Sequence, residues 1–245
     1  MTSPHRSFDI TTDEKGSSVR IQIYEQPGVV ADNLSLTTWG SALVLANALH
    51  KIDIPSLQLE SQYQDRSILE LGAGTGLAGI AAAVLWKADA VLSDLPAILP
   101  ALDINISLNK KVLSQSSVTT AALEWNQPSE MLLRSSNADS QMIYARKWKA
   151  DVIIAADTLY TEEHPQLITQ TIQAWLRPGS HARAIICYAL RVAYLDPIRE
   201  FWELMENAGF ECLQEGRVDG DDDWMEVANT PYEWCVWAWK PDKEI

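Results

Sequence analysis

A glycine-rich turn between an apolar segment and an alanine-rich segment limits the possible folds most. Residues 68–71 form a short apolar segment, as in a buried strand, and residues 77–86 form a segment long enough for a helix. The junction carries the string Glu70-Leu-Gly72-Ala-Gly74-Thr-Gly76. Glycines allow a tight turn that a ligand can approach closely, and a helix begins with free N–H groups. The sequence therefore predicts a strand–turn–helix unit with a ligand site over the turn.

The rest of the chain alternates between strand and helix patterns. Strands are expected at 90–93, 118–124, 151–156 and 184–189, and helices at 96–109, 164–175 and 198–208. This alternation is typical of a largely parallel sheet with helices on both faces, an α/β fold. Residues 210–218 and 232–239 follow as two strands joined through the acidic segment 219–223, which predicts an antiparallel pair at the end of the sheet.

The N-terminal part differs from this pattern. Residues 19–24 alternate as in a half-buried strand or small hairpin, and residues 38–50 have apolar positions at helical spacing. We interpret 1–245 as a single domain, with 1–60 as an N-terminal extension and 61–245 as a Rossmann-like core. The segment 126–149 is rich in Ser, Asn and Gln without clear periodicity, so we expect a long connection there.

Composition limits the partners and the cellular location. The 33 acidic residues against 19 basic ones give a net charge of −14, which repels phosphate backbones and argues against a nucleic-acid substrate. We find no signal-peptide pattern and no uncharged apolar run of about 18 residues, so membrane insertion is not expected. The three widely spaced cysteines at 187, 212 and 235 suggest buried thiols in a reducing compartment. We therefore expect a cytoplasmic protein, with a nuclear pool left open.

The glycine turn by itself leaves two adenosine cofactors open. Gly74-Thr-Gly76-Leu-Ala-Gly79 also satisfies the GxGxxG pattern of dinucleotide-binding domains, and Asp94 stands close to the expected distance of about 20 residues. A carboxylate at the end of the second strand can accept hydrogen bonds from ribose hydroxyls in either cofactor. A nicotinamide-dependent oxidoreductase thus remains an alternative, although no Tyr-x-x-x-Lys pair accompanies the turn.

The complete string at the turn resembles the first motif of class I S-adenosylmethionine methyltransferases. Further motifs in order resemble the family-16 protein methyltransferases: Thr38-Trp39-Gly40, Asn105 with Asn109, Leu123-Glu124-Trp125, and Ala156-Asp157-Thr158-Leu159-Tyr160. Asp157 and Tyr160 form the D-x-x-Y signature of that group. The resemblance runs from about Val19 to Trp239. It implies a mostly parallel seven-stranded sheet with an antiparallel C-terminal pair and a small N-terminal extension.

The same resemblance implies S-adenosylmethionine as the cofactor and assigns its binding residues. The methionine and ribose parts are expected against Gly72, Ala73 and Gly74, and Asp94 is expected to bind the ribose hydroxyls. The expected cofactor-binding set is Trp39, Glu70, Gly72, Ala73, Gly74, Gly76, Asp94, Trp125 and Ala156. One departure concerns the adenine contacts, because relatives often carry Asp before this tryptophan and Gly after it, where this chain has Glu124 and Asn126.

The resemblance also implies a nitrogen acceptor, usually a lysine of a folded protein such as a chaperone, an ATPase or an elongation factor. Because an ordinary lysine has a pKa of about 10.4, the bound amine must lose a proton before it attacks. Asp157 could orient this amine, and Tyr160 could offer its hydroxyl or ring face. No metal is expected. A small-molecule nitrogen, a protein histidine, and an inactive interaction domain remain alternatives.

Overall fold

The computed structural model describes residues 3–31, 33–55, 67–134, 140–219 and 230–241 of the 245-residue chain. The strands in these ranges are β1 (His5–Thr11), β2 (Ser18–Tyr24), β3 (Val30–Ala31), β4 (Leu34–Ser35), β5 (Ser67–Leu71), β6 (Asp89–Asp94), β7 (Val118–Ala122), β8 (Glu130–Leu133), β9 (Gln141–Tyr144), β10 (Val152–Ala156), β11 (Arg183–Ala189), β12 (Phe210–Val218) and β13 (Tyr232–Trp239). The α-helices are α1 (Gly40–Ala48), α2 (Leu77–Trp86), α3 (Leu99–Leu108), α4 (His164–Trp175) and α5 (Leu195–Ala208).

The large sheet confirms the predicted α/β class. Its strand order is β12-β13-β11-β10-β5-β6-β7-β8-β9. The five strands from β11 to β7 in this order run parallel to one another. At one end β13 pairs antiparallel with β11 and β12 with β13, and at the other end β8 pairs antiparallel with β7 and β9 with β8. The parallel strands β5 and β11 are buried along their whole length, as expected when helices cover both faces. The antiparallel C-terminal pair lies at one edge, as predicted.

The expected number of seven strands is too low for the described residues, which form nine in this sheet. The two additional strands, β8 and β9, lie within 126–149, where we expected an irregular connection, and they extend the sheet beyond β7. Met131 is buried there, but most other side chains of the two strands are partly or fully exposed. Short exposed strands produce little hydrophobic periodicity, which explains why the pattern did not reveal them.

Two hydrophobic cores lie on opposite faces of the sheet. Alternate residues of β5 point to opposite sides, so Ile68 packs with α1, α2, α3 and the N-terminal hairpin, while Leu69 and Leu71 pack with α4 and α5. All three side chains are completely buried. Burial of a side chain of this size contributes about 1.5–3 kcal/mol. The central strand is therefore held from both faces, which fixes the position of the glycine turn that follows it.

Three helix boundaries differ from the sequence prediction. Helix α1 begins at Gly40 instead of residue 38, because Trp39 has an extended backbone with ψ of 149°. Helix α3 begins at Leu99 instead of residue 96, after a turn, and α5 begins at Leu195 instead of residue 198. Proline in the first turn of α5 is tolerated because that turn has no intrahelical acceptor for the missing N–H.

The N-terminal extension begins with an antiparallel hairpin of β1 and β2, which is bound to the core through Asn105 of α3 and Asn109 directly after that helix. Asn105 accepts a hydrogen bond from the backbone N–H of Tyr24 (2.7 Å), and Asn109 accepts one from Gln22 (2.9 Å). Each amide group also donates back to the carbonyl oxygen of the same residue. The two side chains thus bind the backbone N–H and carbonyl groups of β2 as a neighbouring strand would. The boundary expected near residue 60 lies outside the described residues, as does most of the segment 219–223.

Replacement of Asn105 or Asn109 by alanine should lower the free energy of unfolding by about 1–3 kcal/mol, because each change leaves a backbone N–H and a carbonyl group of β2 without their side-chain partner. Urea unfolding followed by circular dichroism measures this effect. Ser107→Ala is the matched control, since Ser107 lies exposed on the same helix. Equal stability of the asparagine variants and the Ser107 variant would show that the amide groups do not hold the hairpin.

Candidate active site

The turn after β5 has a left-handed backbone that opens one side toward a cavity. Gly72 has a φ of 62° and Gly74 a φ of 54°, values that L-residues with side chains rarely adopt. A Cβ at Gly72 would lie 3.0 Å from the Trp125 ring, whereas a Cβ at Gly74 would meet no atom within 4 Å. Gly72 therefore allows close packing of the protein on itself, and Gly74 leaves its backbone accessible to a ligand.

Asp94 holds this turn in place from the neighbouring strand. Its Oδ2 accepts a hydrogen bond from the N–H of Gly74 (2.7 Å), and its Oδ1 accepts one from Leu95 (2.7 Å). The turn is also bound to β6 by a hydrogen bond from the N–H of Ala73 to the carbonyl oxygen of Ser93 (3.0 Å). A carboxylate offers about four acceptor positions, so Asp94 retains capacity for ribose hydroxyls.

A cavity of about 330 Å³ lies at the carboxyl ends of β5, β6, β7 and β10. This edge of a parallel sheet is where ligands bind in open α/β folds, and the volume falls within the range of small-molecule sites. The predicted site residues that line it are Trp39, Gly72, Gly74, Asp94, Trp125, Ala156, Asp157 and Tyr160. Glu70, Ala73 and Gly76 belong to the same turn region but are not among its lining residues.

Glu70 lies beneath the start of α2, away from this cavity. Its side chain is 2% exposed and accepts a hydrogen bond from the backbone N–H of Gly79 in the first turn of the helix. A Cβ at Gly79 would overlap the Glu70 carboxyl, which explains the glycine at that position. Burial raises the pKa of Glu70 well above its ordinary value, and the charge of Asp94 raises it further, against the lowering effect of the Gly79 hydrogen bond.

Asp157 occupies a strained position directly after β10. Its φ is 59°, in a left-handed region that costs a non-glycine residue about 1–2 kcal/mol. Its backbone N–H donates to the carbonyl oxygen of Cys187 on β11 (2.8 Å). Both side-chain oxygens are bound by Arg191, with Nη2–Oδ2 at 3.1 Å and Nη1–Oδ1 at 3.3 Å. A strained carboxylate held in this way is typical of a functional site.

Arg191 was not among the predicted site residues, although its position offered a signal. It comes two residues after β11, at the same edge of the sheet as Asp157. Its guanidinium carbon lies 5.7 Å from the ring centroid of Trp39 and 5.8 Å from that of Tyr194. An arginine at the carboxyl end of a central strand in an acidic chain was a reasonable candidate. Only the fold, however, places it against Asp157.

Three aromatic side chains form one wall of the cavity. The Trp125 and Tyr160 rings both make edge-to-face contacts with His164, with ring centroids 5.3 Å and 4.3 Å apart. His164 is the first residue of α4 and was not predicted as a site residue. This wall combines an apolar surface with polar edges, which suits a flat ring or a cationic group.

The N-terminal extension supplies another part of the cavity wall. Residues of β3, β4 and the segment up to Trp39 line the cavity, and Trp39 is the one among them that was a predicted site residue. The hydroxyl groups of Thr38 and Thr75 lie 3.1 Å apart, and Asn105 donates to the carbonyl oxygen of Thr75 (2.9 Å). The glycine turn is thus connected to both the segment before α1 and the hairpin contact on α3.

A second cavity, of about 630 Å³, lies between the N-terminal hairpin, α1 and the β12–β13 pair. None of the predicted site residues lines it. Within the described parts of the chain, no group of three or more His, Cys, Asp or Glu side chains is arranged to hold a metal ion. No helix there is long and apolar enough to cross a membrane. The smaller cavity, where the predicted residues converge, is therefore the candidate active site.

Comparison with known proteins identifies the family of the chain. A sequence model described as lysine methyltransferase matches residues 17–207. The chain is 29% identical to the protein-lysine N-methyltransferase EFM2 of Saccharomyces cerevisiae, over 86% of this chain and 50% of the relative. It is 30% identical to the protein-lysine N-methyltransferase rrg1 of Schizosaccharomyces pombe, over 89% of this chain and 66% of the relative. The chain thus spans about half to two thirds of these relatives.

Solved structures support the fold. A Streptococcus mutans protein assigned to the S-adenosylmethionine-dependent methyltransferases superimposes with a TM-score of 0.57 at 12% identity. The match covers 97% of this chain and 56% of the other. At this level of identity the similarity establishes a class I methyltransferase fold, as the motifs predicted.

Replacement of Glu70 by glutamine should change how stability depends on pH. The folded protein retains the Glu70 proton at pH values where the unfolded chain has lost it, so this group lowers stability as pH rises above the ordinary glutamate pKa. The Glu70→Gln variant has no such pH-dependent loss of stability. The difference in the free energy of unfolding between the variant and the unmodified protein should therefore shift in favour of the variant from pH 5 to pH 8. Urea unfolding at several pH values measures the difference. The control is Glu203→Gln, on the exposed side of α5. Parallel pH profiles for the Glu70 variant and the unmodified protein would contradict the assignment.

Proposed function

The chain belongs to the lysine methyltransferase family, and we propose that it transfers a methyl group from S-adenosylmethionine to the ε-amine of a lysine in a folded protein. The observation that carries this proposal is the convergence of two sets of residues on one cavity. Gly74 and Asp94 form its cofactor side, while Asp157 and Tyr160, the expected acceptor residues, line the same space. The names of the two yeast relatives agree with the reaction.

The residues present fit the cofactor. The backbone at Gly74 faces open space where any side chain would stand, and the Asp94 carboxylate can accept ribose hydroxyls in addition to its two backbone donors. Trp125 provides an apolar ring surface beside the turn. When bound, S-adenosylmethionine supplies a methyl group on a sulfonium, which is already a good leaving group. The protein therefore has mainly to position the acceptor and exclude water.

The acceptor side must present a neutral amine. A lysine with a pKa of about 10.4 is almost fully protonated at neutral pH, so a proton has to leave before the nitrogen attacks. Asp157, 9% exposed and fixed by Arg191, can accept a hydrogen bond from the remaining amine N–H. Tyr160 lies along the aromatic wall, where its ring or hydroxyl can contact the lysine side chain.

The charge of the chain supports a protein partner over a nucleic acid. A net charge of −14 favours a cationic surface around the target lysine and disfavours phosphate. Within this proposal, the partner belongs to the chaperones, ATPases or elongation factors implied by the resemblance, and the reaction takes place in the cytoplasm or nucleus. Incubation of fractionated extracts with labelled cofactor, followed by mass spectrometry of the labelled protein, tests this finer assignment.

Asp94→Ala should weaken the binding of S-adenosylhomocysteine by about 10–100-fold, because hydrogen bonds to a charged group contribute about 1.5–3 kcal/mol. Calorimetric titration with S-adenosylhomocysteine, and separately with NAD, measures the affinity. The exposed Asp9→Asn on β1 is the control and should bind normally. Binding of NAD alone would replace the proposed function by that of an oxidoreductase, and binding of neither ligand would indicate an inactive domain.

Asp157→Asn should reduce methyl transfer by at least about 100-fold while the affinity for S-adenosylhomocysteine changes little, because general acid–base and orienting groups contribute about 10²–10⁴-fold. Transfer is measured with labelled S-adenosylmethionine and acid hydrolysis of the labelled protein, which distinguishes methyl-lysine from methyl-histidine. A label on histidine or on a small molecule would change the proposed acceptor. Normal turnover of the Asp157 variant would remove that residue from the mechanism.

A further inference from the structure

We propose that Arg191 is a positioning residue that balances the charge of Asp157, so that the acceptor site holds an uncharged amine and not an ammonium ion. This inference rests on the function proposed above and assigns a role to a residue that the motifs do not include. Arg191 is not among the residues that line the cavity, and it acts through the carboxylate that does line it.

The geometry of the pair is specific. Asp157 and Arg191 follow two adjacent parallel strands, β10 and β11, and the guanidinium binds both carboxylate oxygens. A two-point contact of this kind fixes the orientation of the carboxylate as well as its position. Because the backbone of Asp157 is in a strained left-handed conformation, such a contact also stabilises a conformation that the residue would otherwise rarely adopt.

The surroundings make the pair stronger than a surface ion pair. The side chains are 19% exposed for Arg191 and 9% for Asp157, so water screens their attraction only partly. The guanidinium also lies within 6 Å of the ring centroids of Trp39 and Tyr194, at a distance where aromatic rings attract cations. These contacts hold the positive charge beside Asp157 and outside the cavity.

Without Arg191, the carboxylate would favour the wrong form of the substrate. An opposite charge within about 4–6 Å shifts a pKa by about 1–3 units toward the charged form, so an unbalanced Asp157 would raise the lysine pKa further above neutrality. The guanidinium has the opposite effect, because a nearby like charge disfavours the ammonium form. The balanced carboxylate still has acceptor positions for the N–H of a neutral amine. The pair thus orients the nucleophile without stabilising its proton.

Other ionisable groups near the pair do not supply this balance. Asp94, Glu124 and His164 line the same cavity, together with the Tyr160 phenol, and Tyr194 stands against the guanidinium. The two acids add negative charge to the site. Cys187 lies behind Asp157, where burial, followed by the charge of Asp157, raises the pKa of its thiol well above the ordinary value and keeps it neutral. The guanidinium is thus the permanent positive charge that contacts Asp157 among the described residues.

The test compares two cofactor analogues by calorimetric titration of the full chain at pH 7.5. S-adenosylhomocysteine lacks the transferable methyl group, whereas sinefungin carries a primary amine at the corresponding position. Arg191→Met should increase the affinity for sinefungin relative to that for S-adenosylhomocysteine by at least about tenfold, the equivalent of one pKa unit. Arg191→Lys retains the charge and should return the ratio toward that of the unmodified protein. Arg199→Met, which breaks an exposed ion pair on α5, is the matched control.

The ratio of the two affinities distinguishes this role from a structural one, because general damage to the pocket would weaken the binding of both analogues to the same extent. If the Arg191→Met variant does not fold, Asp157→Asn provides the test from the other side of the pair. This variant leaves the positive charge of the guanidinium without its carboxylate partner. It should weaken the binding of sinefungin relative to that of S-adenosylhomocysteine by about tenfold. An unchanged ratio in the variants, with both analogues bound by the unmodified protein, would overturn the inference alone. Failure of the unmodified protein to bind either analogue would overturn the proposed function and the inference with it.

Discussion

The hydrogen bond from the N–H of Gly74 to Asp94 is the contact on which the site depends. It holds the left-handed turn against the neighbouring strand, and the turn in turn sets where α2 begins and where the cavity opens. The same turn receives a hydrogen bond from Asn105, which also binds β2. The N-terminal hairpin, the cofactor turn and the end of β6 are therefore parts of one connected structure.

Two carboxyl groups that line the cavity and one that lies beneath the glycine turn are each stabilised differently. Glu70 is placed where its neutral form is favoured, beneath the start of a helix. Asp94 remains at the cavity and is satisfied by backbone donors. Asp157 is balanced by a guanidinium that stands behind it. Within the proposed function, Asp94 and Asp157 give the cofactor side and the acceptor side of the cavity different electrostatic surroundings.

The accuracy of the sequence prediction followed the strength of the local pattern. The buried strands β5 and β10 and the helices α2 and α4 were predicted closely, because each strand is a continuous or nearly continuous apolar segment and each helix is an apolar or periodic one. The first strand of the hairpin and the strands β8 and β9 were not separately identified. Many of their side chains are partly or fully exposed, so their own residues show little hydrophobic periodicity.

The sequence by itself determined the class of fold and the glycine turn, because these depend on residue type and on spacing along the chain. Its spacing pointed to Asp94, and its resemblance to a methyltransferase family pointed to Asp157. Only the tertiary structure decided that Glu70 points away from the cavity, since a strand residue can face either core. The same holds for Arg191 and His164, which reach the site from separate elements. Contacts between distant segments depend on how strands and helices pack, and no local sequence pattern specifies that packing.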